Sequence, residues 1–149
     1  MNENLQTVVD SANKILNDTN LSTFTEDVVQ RLVSFGCDLV EEDAWMIAFS
    51  IKGTVNHVLN EINHQTVPDG LREVVVDMIC GEVLNAKFLS GQLDLNGLDL
   101  DGIIQSVSEG DASVSFSTEG SGESKLKGLL SWLMQGKGCD LLCYRKMRW

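Results

Sequence analysis

Apolar residues recur at helical spacing along most of the chain between residues 5 and 89. The longest stripe keeps a period of about 3.6 residues without a break, which predicts a helix of about five turns. Its members are Ala44, Ala48, Ile51, Val55, Val58 or Leu59, and Ile62, and Trp45 and Phe49 widen it. The carboxylates of Glu41, Glu42 and Asp43 precede the stripe, at the end of a helix where its dipole favours negative charge.

Further stripes predict helices on both sides of this one. Residues 5–16 carry a narrow stripe that needs a partner surface, which indicates a docked arm. Thr23-Phe24-Thr25-Glu26 fits a capping box, and the helix that follows can end at Gly36. After the turn at Pro68-Asp69-Gly70, residues 71–89 are apolar on nearly all sides, as in a central helix. Gly81 within that helix predicts that a second backbone approaches closely.

The pattern changes after residue 90. Leu93–Gly97 and Leu98–Gly102 form a near-repeat whose acidic spacing does not match a calcium-binding loop, so a turn-rich connector is the favoured interpretation. Beyond Glu109-Gly110-Asp111, Val114 and Phe116 alternate with serines, which is the period of a half-buried strand. A last helix is predicted from four leucines on one face: Leu126, Leu129, Leu130 and Leu133.

These elements predict a mainly α protein. We expect an antiparallel bundle of about four to five helices, with a small β-hairpin or extended arm and a C-terminal tail. The chain divides into an N-terminal helical arm (1–20), a helical core (21–90), a turn-rich connector carrying the hairpin or arm (91–124), and a C-terminal helix with a basic aromatic tail (125–149).

Charge is divided unevenly along the 149 residues. Residues 1–124 hold 21 acidic and 5 basic side chains, a net charge of −16, whereas residues 125–149 have a net charge of +5. The total of −11 excludes a chain-wide basic footprint for nucleic acid. The basic end either binds an acidic surface, such as a second copy of the chain, or only keeps the tail solvated.

Candidate catalytic and metal-binding residues are few. His57 and His64 lie too far apart for paired helical metal ligands, so solvated or capping roles are favoured. Asp77 and Glu82 fall on different sides of their helix, which favours a solvated or inter-subunit edge over acid–base chemistry. No nucleophile–base constellation or phosphate-binding loop is visible. We expect no enzymatic activity, no metal and no cofactor.

Export and membrane signals are also missing from the pattern. No segment reaches the roughly 18 apolar residues of a membrane-spanning helix, and the N-terminus lacks the features of a signal peptide. The four cysteines form no C-x-x-C pair and are expected to be reduced cytoplasmic thiols; they are Cys37, Cys80, Cys139 and Cys143.

The C-terminal tail is the strongest candidate for an interaction site. Tyr144, Arg145, Lys146, Met147, Arg148 and Trp149 interleave the aromatic and arginine residues that are enriched in interface hot spots. Chain ends are usually poorly ordered unless something binds them, and exposed apolar side chains are unfavourable in water. We therefore expect a partner for this tail.

Several motifs, taken in order, resemble phage head–tail connector (adaptor) proteins of the type found in prophages of low-GC Gram-positive bacteria. The motifs are Phe24-Thr25 to Gly36, Glu42-Asp43-Ala44-Trp45, Val67-Pro68-Asp69-Gly70-Leu71, Val76 to Glu82, Glu109 to Phe116, and Cys143 to Trp149. Ala112 stands where the family usually has threonine. The resemblance covers roughly residues 24–149 and leaves out the N-terminal arm.

The resemblance implies a structural virion protein without catalytic activity. Twelve helical protomers would form a ring below the portal protein, extend the DNA channel and receive the next neck, head-closure or tail-terminator protein. DNA would pass without specific binding, and the protein would lie in the virion neck after assembly in the host cytoplasm. Tyr144 to Trp149 would contact the portal or a neighbouring subunit. The residues Glu109, Gly110, Asp111, Val114 and Phe116 would contact the ring or the lumen.

An alternative is a small nucleic-acid-binding regulator. Its helix-turn-helix would comprise the helices at 24–36 and 41–63, and the basic tail would add affinity. The three carboxylates at the start of the second helix oppose this alternative, because phosphates would repel them. A small enzyme using Asp77 and Glu82 is a third, weaker interpretation.

Overall fold

The structure is a computed structural model that describes residues 3–92 and 122–134. Within these residues the protein is an assembly of α-helices without β-strands, which confirms the predicted mainly α class. The helices are α1 (Glu3–Leu16), α2 (Thr19–Ser22), α3 (Thr25–Ser34), α4 (Asp43–Ile62), α5 (Arg72–Leu89, preceded by a 3₁₀ turn, Asp69–Leu71) and α6 (Gly122–Met134). The predicted hairpin or arm and the C-terminal tail lie outside the described residues.

Helix α1 is docked on the rest of the protein, as its narrow stripe predicts. It packs against α4 and α3 and buries Val8, Val9 and Ala12. Asn17 then takes a left-handed conformation (φ 46°), and the Asp18 carboxylate caps α2 by accepting from the backbone N–H of Asn20 at 2.8 Å.

The predicted capping box at the start of α3 is wrong. Helix α3 begins at Thr25, and its N-cap residue is Phe24, whose side chain cannot accept a hydrogen bond. The Thr23 hydroxyl instead donates to the Asn20 carbonyl at 2.8 Å. The predicted end of the helix is confirmed: Gly36 is left-handed (φ 85°), and the Cys37 N–H reaches back to the Leu32 carbonyl.

Helix α5 lies at the centre of the described fold. It packs against α3, α4 and α6, and it is buried on most sides. Gly81 allows α6 to approach α5 closely, since a Cβ there would lie 3.0 Å from Leu133 Cβ and 3.2 Å from the Met134 backbone nitrogen. The predicted close approach of a second backbone is therefore confirmed, and that backbone belongs to α6. None of the described helices is long and apolar enough to cross a membrane.

Candidate interaction surfaces

The site residues proposed from the sequence fall outside the described part of the chain. These are the hairpin residues Glu109, Gly110, Asp111, Val114 and Phe116, and the tail residues Tyr144 to Trp149. Their roles stay predictions. The features of the described residues from which an interaction surface can be built include an exposed aromatic pair and a groove beside it.

The exposed aromatic pair is formed by Trp45 and Phe49 on α4. Their rings stand 5.5 Å apart and tilted by 37°, and the residues are 58% and 61% exposed. The expectation that they widen the buried stripe is wrong. The core side of α4 is filled by Ala44, Ile47, Ala48 and Ile51, and residues 45 and 49 are turned about 100° away from it. Two adjacent exposed aromatic side chains make an apolar patch of the kind found at interfaces.

A groove of about 450 Å³ begins at Phe49; we call it the α4–α6 groove. Helix α4 lines one side with Phe49, Ser50 and Gly53, α5 contributes Met78 and Glu82, and α6 contributes Met134. The groove stays open at Gly53, because a Cβ placed there meets no atom within 4 Å. This volume lies within the range of roughly 300–1,000 Å³ that is usual for binding clefts.

His57 also lines the α4–α6 groove. It does not take part in a metal site in the described stretches, where no cluster of three or more His, Cys, Asp or Glu side chains is arranged to hold a metal ion.

A second groove, of about 660 Å³, lies between α3 and α5, and we call it the α3–α5 groove. Two ion pairs lie along it. Arg31 Nε contacts Asp77 Oδ1 at 3.1 Å, and Arg72 contacts Asp27 at 3.1 Å while donating to the Thr23 carbonyl at 2.6 Å. The two guanidinium groups also lie over phenylalanine rings, as cation–π contacts. Both guanidinium groups that line this groove are thus held by carboxylates, and the two ion pairs brace α3 against α5.

Asp77 is therefore not the solvated edge that the sequence predicts. Its side chain is only 6% exposed, and its charge is balanced by Arg31 from another helix. Glu82, by contrast, is exposed and faces the α4–α6 groove. The two carboxylates lie on different sides of α5, as their spacing predicts, and they form no acid–base pair.

A buried ion pair joins the start of α4 to the end of α5, and sequence reasoning missed it. Lys87 Nζ donates to Asp43 Oδ2 at 2.9 Å and to the Asp38 carbonyl at 3.2 Å, and the two side chains are 6% and 5% exposed. The Asp43 carboxylate also accepts from the Val40 N–H at 3.0 Å. One feature of the sequence indicates this ion pair: Lys87 lies on the same stripe as Val83 and Leu84, where a buried cation requires an anionic partner.

The described cysteines are inert by environment. Cys37 and Cys80 are buried free thiols. Burial raises the pKa of both thiols above the ordinary value of 9.0, and the negative charge of Asp77 adds to the effect at Cys80. Nucleophilic chemistry requires a thiolate, so neither residue is an activated nucleophile.

Comparison with known proteins adds no family assignment: no family model, no curated protein and no solved structure matches this chain. The resemblance to connector proteins therefore rests on the motifs quoted above.

Proposed function

We propose that this chain is a structural virion protein, a head–tail connector that forms a ring below the portal. The ring, of about twelve copies by the resemblance, extends the DNA channel and provides the docking site for the next neck or tail component. The basic tail, Tyr144 to Trp149, contacts the portal or a neighbouring copy.

One observation carries the proposal beyond the motifs: the helical body exposes Trp45 and Phe49 side by side. Two large aromatic side chains left in water are unfavourable, and they favour burial against a further polypeptide surface. A protein that works through such contacts needs no catalytic centre. The described helices agree with the helical protomer that the resemblance implies.

The charge of the helical body supports a channel that DNA passes without binding. Residues 3–92 carry 14 acidic and 5 basic side chains, and three of those basic side chains, Arg31, Arg72 and Lys87, are held in ion pairs with carboxylates. The remaining surface charge is therefore mostly negative. Such a surface repels phosphates and opposes tight DNA binding.

Two tail variants test the proposal. Deletion of residues 139–149 should abolish attachment to portal-bearing heads, seen as loss of neck density in electron micrographs, while the helical circular dichroism stays unchanged. A second variant carries the same eleven residues in scrambled order, which keeps the composition and the charge. It should also fail to attach. Normal attachment by either variant would refute the assignment of the tail.

The alternative of a helix-turn-helix regulator gains nothing from the geometry. Eight residues, 35–42, separate α3 from α4, whereas the turn of that motif has about three or four. Glu41 and Glu42 are exposed at the start of the would-be recognition helix. DNA binding that persists at physiological salt and is lost with the tail would revive it.

A further inference from the structure

The aromatic pair and the α4–α6 groove form one continuous surface, because Phe49 belongs to both. Exposed carboxylates flank it: Glu82 lines the groove, and Glu41 and Glu42 lie one turn before Trp45. We call this surface the α4 face. The groove combines apolar side chains (Phe49, Met78 and Met134) with polar ones (Ser50, Thr54, His57 and Glu82), and the surface is aromatic and acidic toward the start of α4.

The chain leaves the described fold at this surface. Met134 is the last residue of α6, and its side chain lines the groove beside Phe49. The fifteen residues that follow begin at the edge of the groove itself. Their two parts match the α4 face in order, since Leu141 and Leu142 come first and the basic aromatic residues Tyr144 to Trp149 come last.

The chemistry of the two parts fits the two ends of the surface. Leucine side chains gain free energy by leaving water and packing against the apolar side chains of the groove, Phe49, Met78 and Met134. Arginine beside Trp45 gains a cation–π contact and a charge-assisted hydrogen bond to a neighbouring carboxylate such as Glu42. The opposite charges of the tail and of the α4 face also fix the direction in which the segment lies.

The length of the segment is sufficient. The distance along α4 from Gly53 to Glu42 is about 16 Å at 1.5 Å per residue. The eleven residues from Met134 to Arg145 reach up to about 36 Å when extended. Attachment through Met134 gives the segment an effective concentration in the millimolar range. At a protein concentration of about 10 μM, docking within one chain is therefore favoured about 100-fold over docking on a second copy.

We propose that in the free protein residues 139–149 dock on the α4 face of the same chain. The docked segment is the tail that the proposed function assigns to the portal, so a partner that takes the tail must first displace it from α4. Docking is a property of the isolated chain. It is tested without a portal, and it stands or falls separately from the connector function.

Disulfide trapping tests the proposal. Ser50→Cys places a thiol in the α4–α6 groove, and the tail supplies the natural thiols Cys139 and Cys143. Ser34→Cys is the matched control, since Ser34 is exposed and lines the α3–α5 groove instead. Under a mild oxidant such as diamide, the Ser50→Cys protein should form an intramolecular disulfide to the tail, mapped by peptide mass spectrometry. Its yield should not change over a tenfold dilution.

Removal of the aromatic pair gives a second readout. In the Ser50→Cys background, Trp45→Ser with Phe49→Ser should slow the cross-link severalfold. Leu89→Ser should leave the rate unchanged, although Leu89 is also an exposed apolar residue, at 75%. All of these side chains are exposed or line a groove, and helical circular dichroism checks the folding of each variant.

Three results would overturn the proposal. Equal trapping of Ser34→Cys and Ser50→Cys would mean that the tail is not held at the α4 face. Covalent dimers whose yield rises with protein concentration would place the tail on a second copy. A rate that does not respond to loss of Trp45 and Phe49 would exclude the aromatic pair as part of the docking surface.

Discussion

Replacement of Gly81 by alanine tests how α6 packs on α5. Alanine favours a helix interior by about 1 kcal/mol relative to glycine. At this position the added methyl group would lie 3.0 Å from both Leu133 Cβ and Met134 Cγ, and 3.2 Å from the Met134 backbone nitrogen. The methionine side chain can rotate away, but the backbone atom moves only if α6 shifts.

The magnitude follows from these opposing effects. Overpacking of a fitted interior costs about 1–3 kcal/mol, which exceeds or cancels the gain in helix propensity. We expect Gly81→Ala to lower the free energy of unfolding by up to about 2 kcal/mol. Gly53→Ala is the matched control on α4, where a Cβ meets nothing within 4 Å. It should raise the free energy of unfolding by up to about 1 kcal/mol.

Urea unfolding followed by circular dichroism measures both variants. The midpoints should move in opposite directions while the slopes stay equal to that of the natural protein. The difference between the two free energies isolates the packing cost at Gly81, because the propensity gain is common to both. A stabilisation of Gly81→Ala as large as that of Gly53→Ala would refute the close contact between α5 and α6.

Three further predictions concern the buried polar and ionisable groups. Lys87→Met leaves Asp43 buried without its cation, and urea unfolding should show a loss of about 3–5 kcal/mol; Lys87→Met combined with Asp43→Asn should lose less than the sum of the single changes, and additivity would contradict the ion pair. Iodoacetamide should leave Cys37 and Cys80 unlabelled in the native protein and label both after unfolding, as peptide mass spectrometry can show; rapid native labelling would contradict their burial. Because burial raises the pKa of the Cys80 thiol, the unfolded chain loses this proton first, so the free energy of unfolding should fall above about pH 9 by about 1.4 kcal/mol per pH unit for each such thiol. Cys80→Ala should flatten that decline, and an unchanged slope would argue against the effect.

Local periodicity is sufficient to predict which segments are helical, but not which face of a helix meets the core. The pattern of α4 predicts its length and its buried stripe. It does not show that Trp45 and Phe49 stay outside, because the helix carries apolar residues over more of its circumference than its neighbours cover. The exposed pair becomes visible only when the positions of the neighbouring helices are known.

Contacts between residues far apart in the sequence explain the other differences between the predicted and the observed structure. Asp77 looks solvated in its own helix, yet its partner Arg31 lies 46 residues earlier, and Lys87 and Asp43 are 44 residues apart. Spacing within one helix carries no information on such pairs. The close packing at Gly81, unlike these ion pairs, could be predicted, because a glycine inside a strongly apolar helix indicates close packing even when the partner is unknown. The α4–α6 groove could not be predicted from the sequence, since its walls come from three helices.

The buried pair of Asp43 and Lys87 also restricts how α4 and α5 can be aligned. A slide of one helical turn would move the two groups about 5.4 Å relative to each other and leave two charges unpaired in the interior. The aliphatic residues along the same two helices would exchange neighbours at much lower cost. Misaligned packings that the apolar stripes would tolerate are thus disfavoured by one pair of charges at the end of the helices.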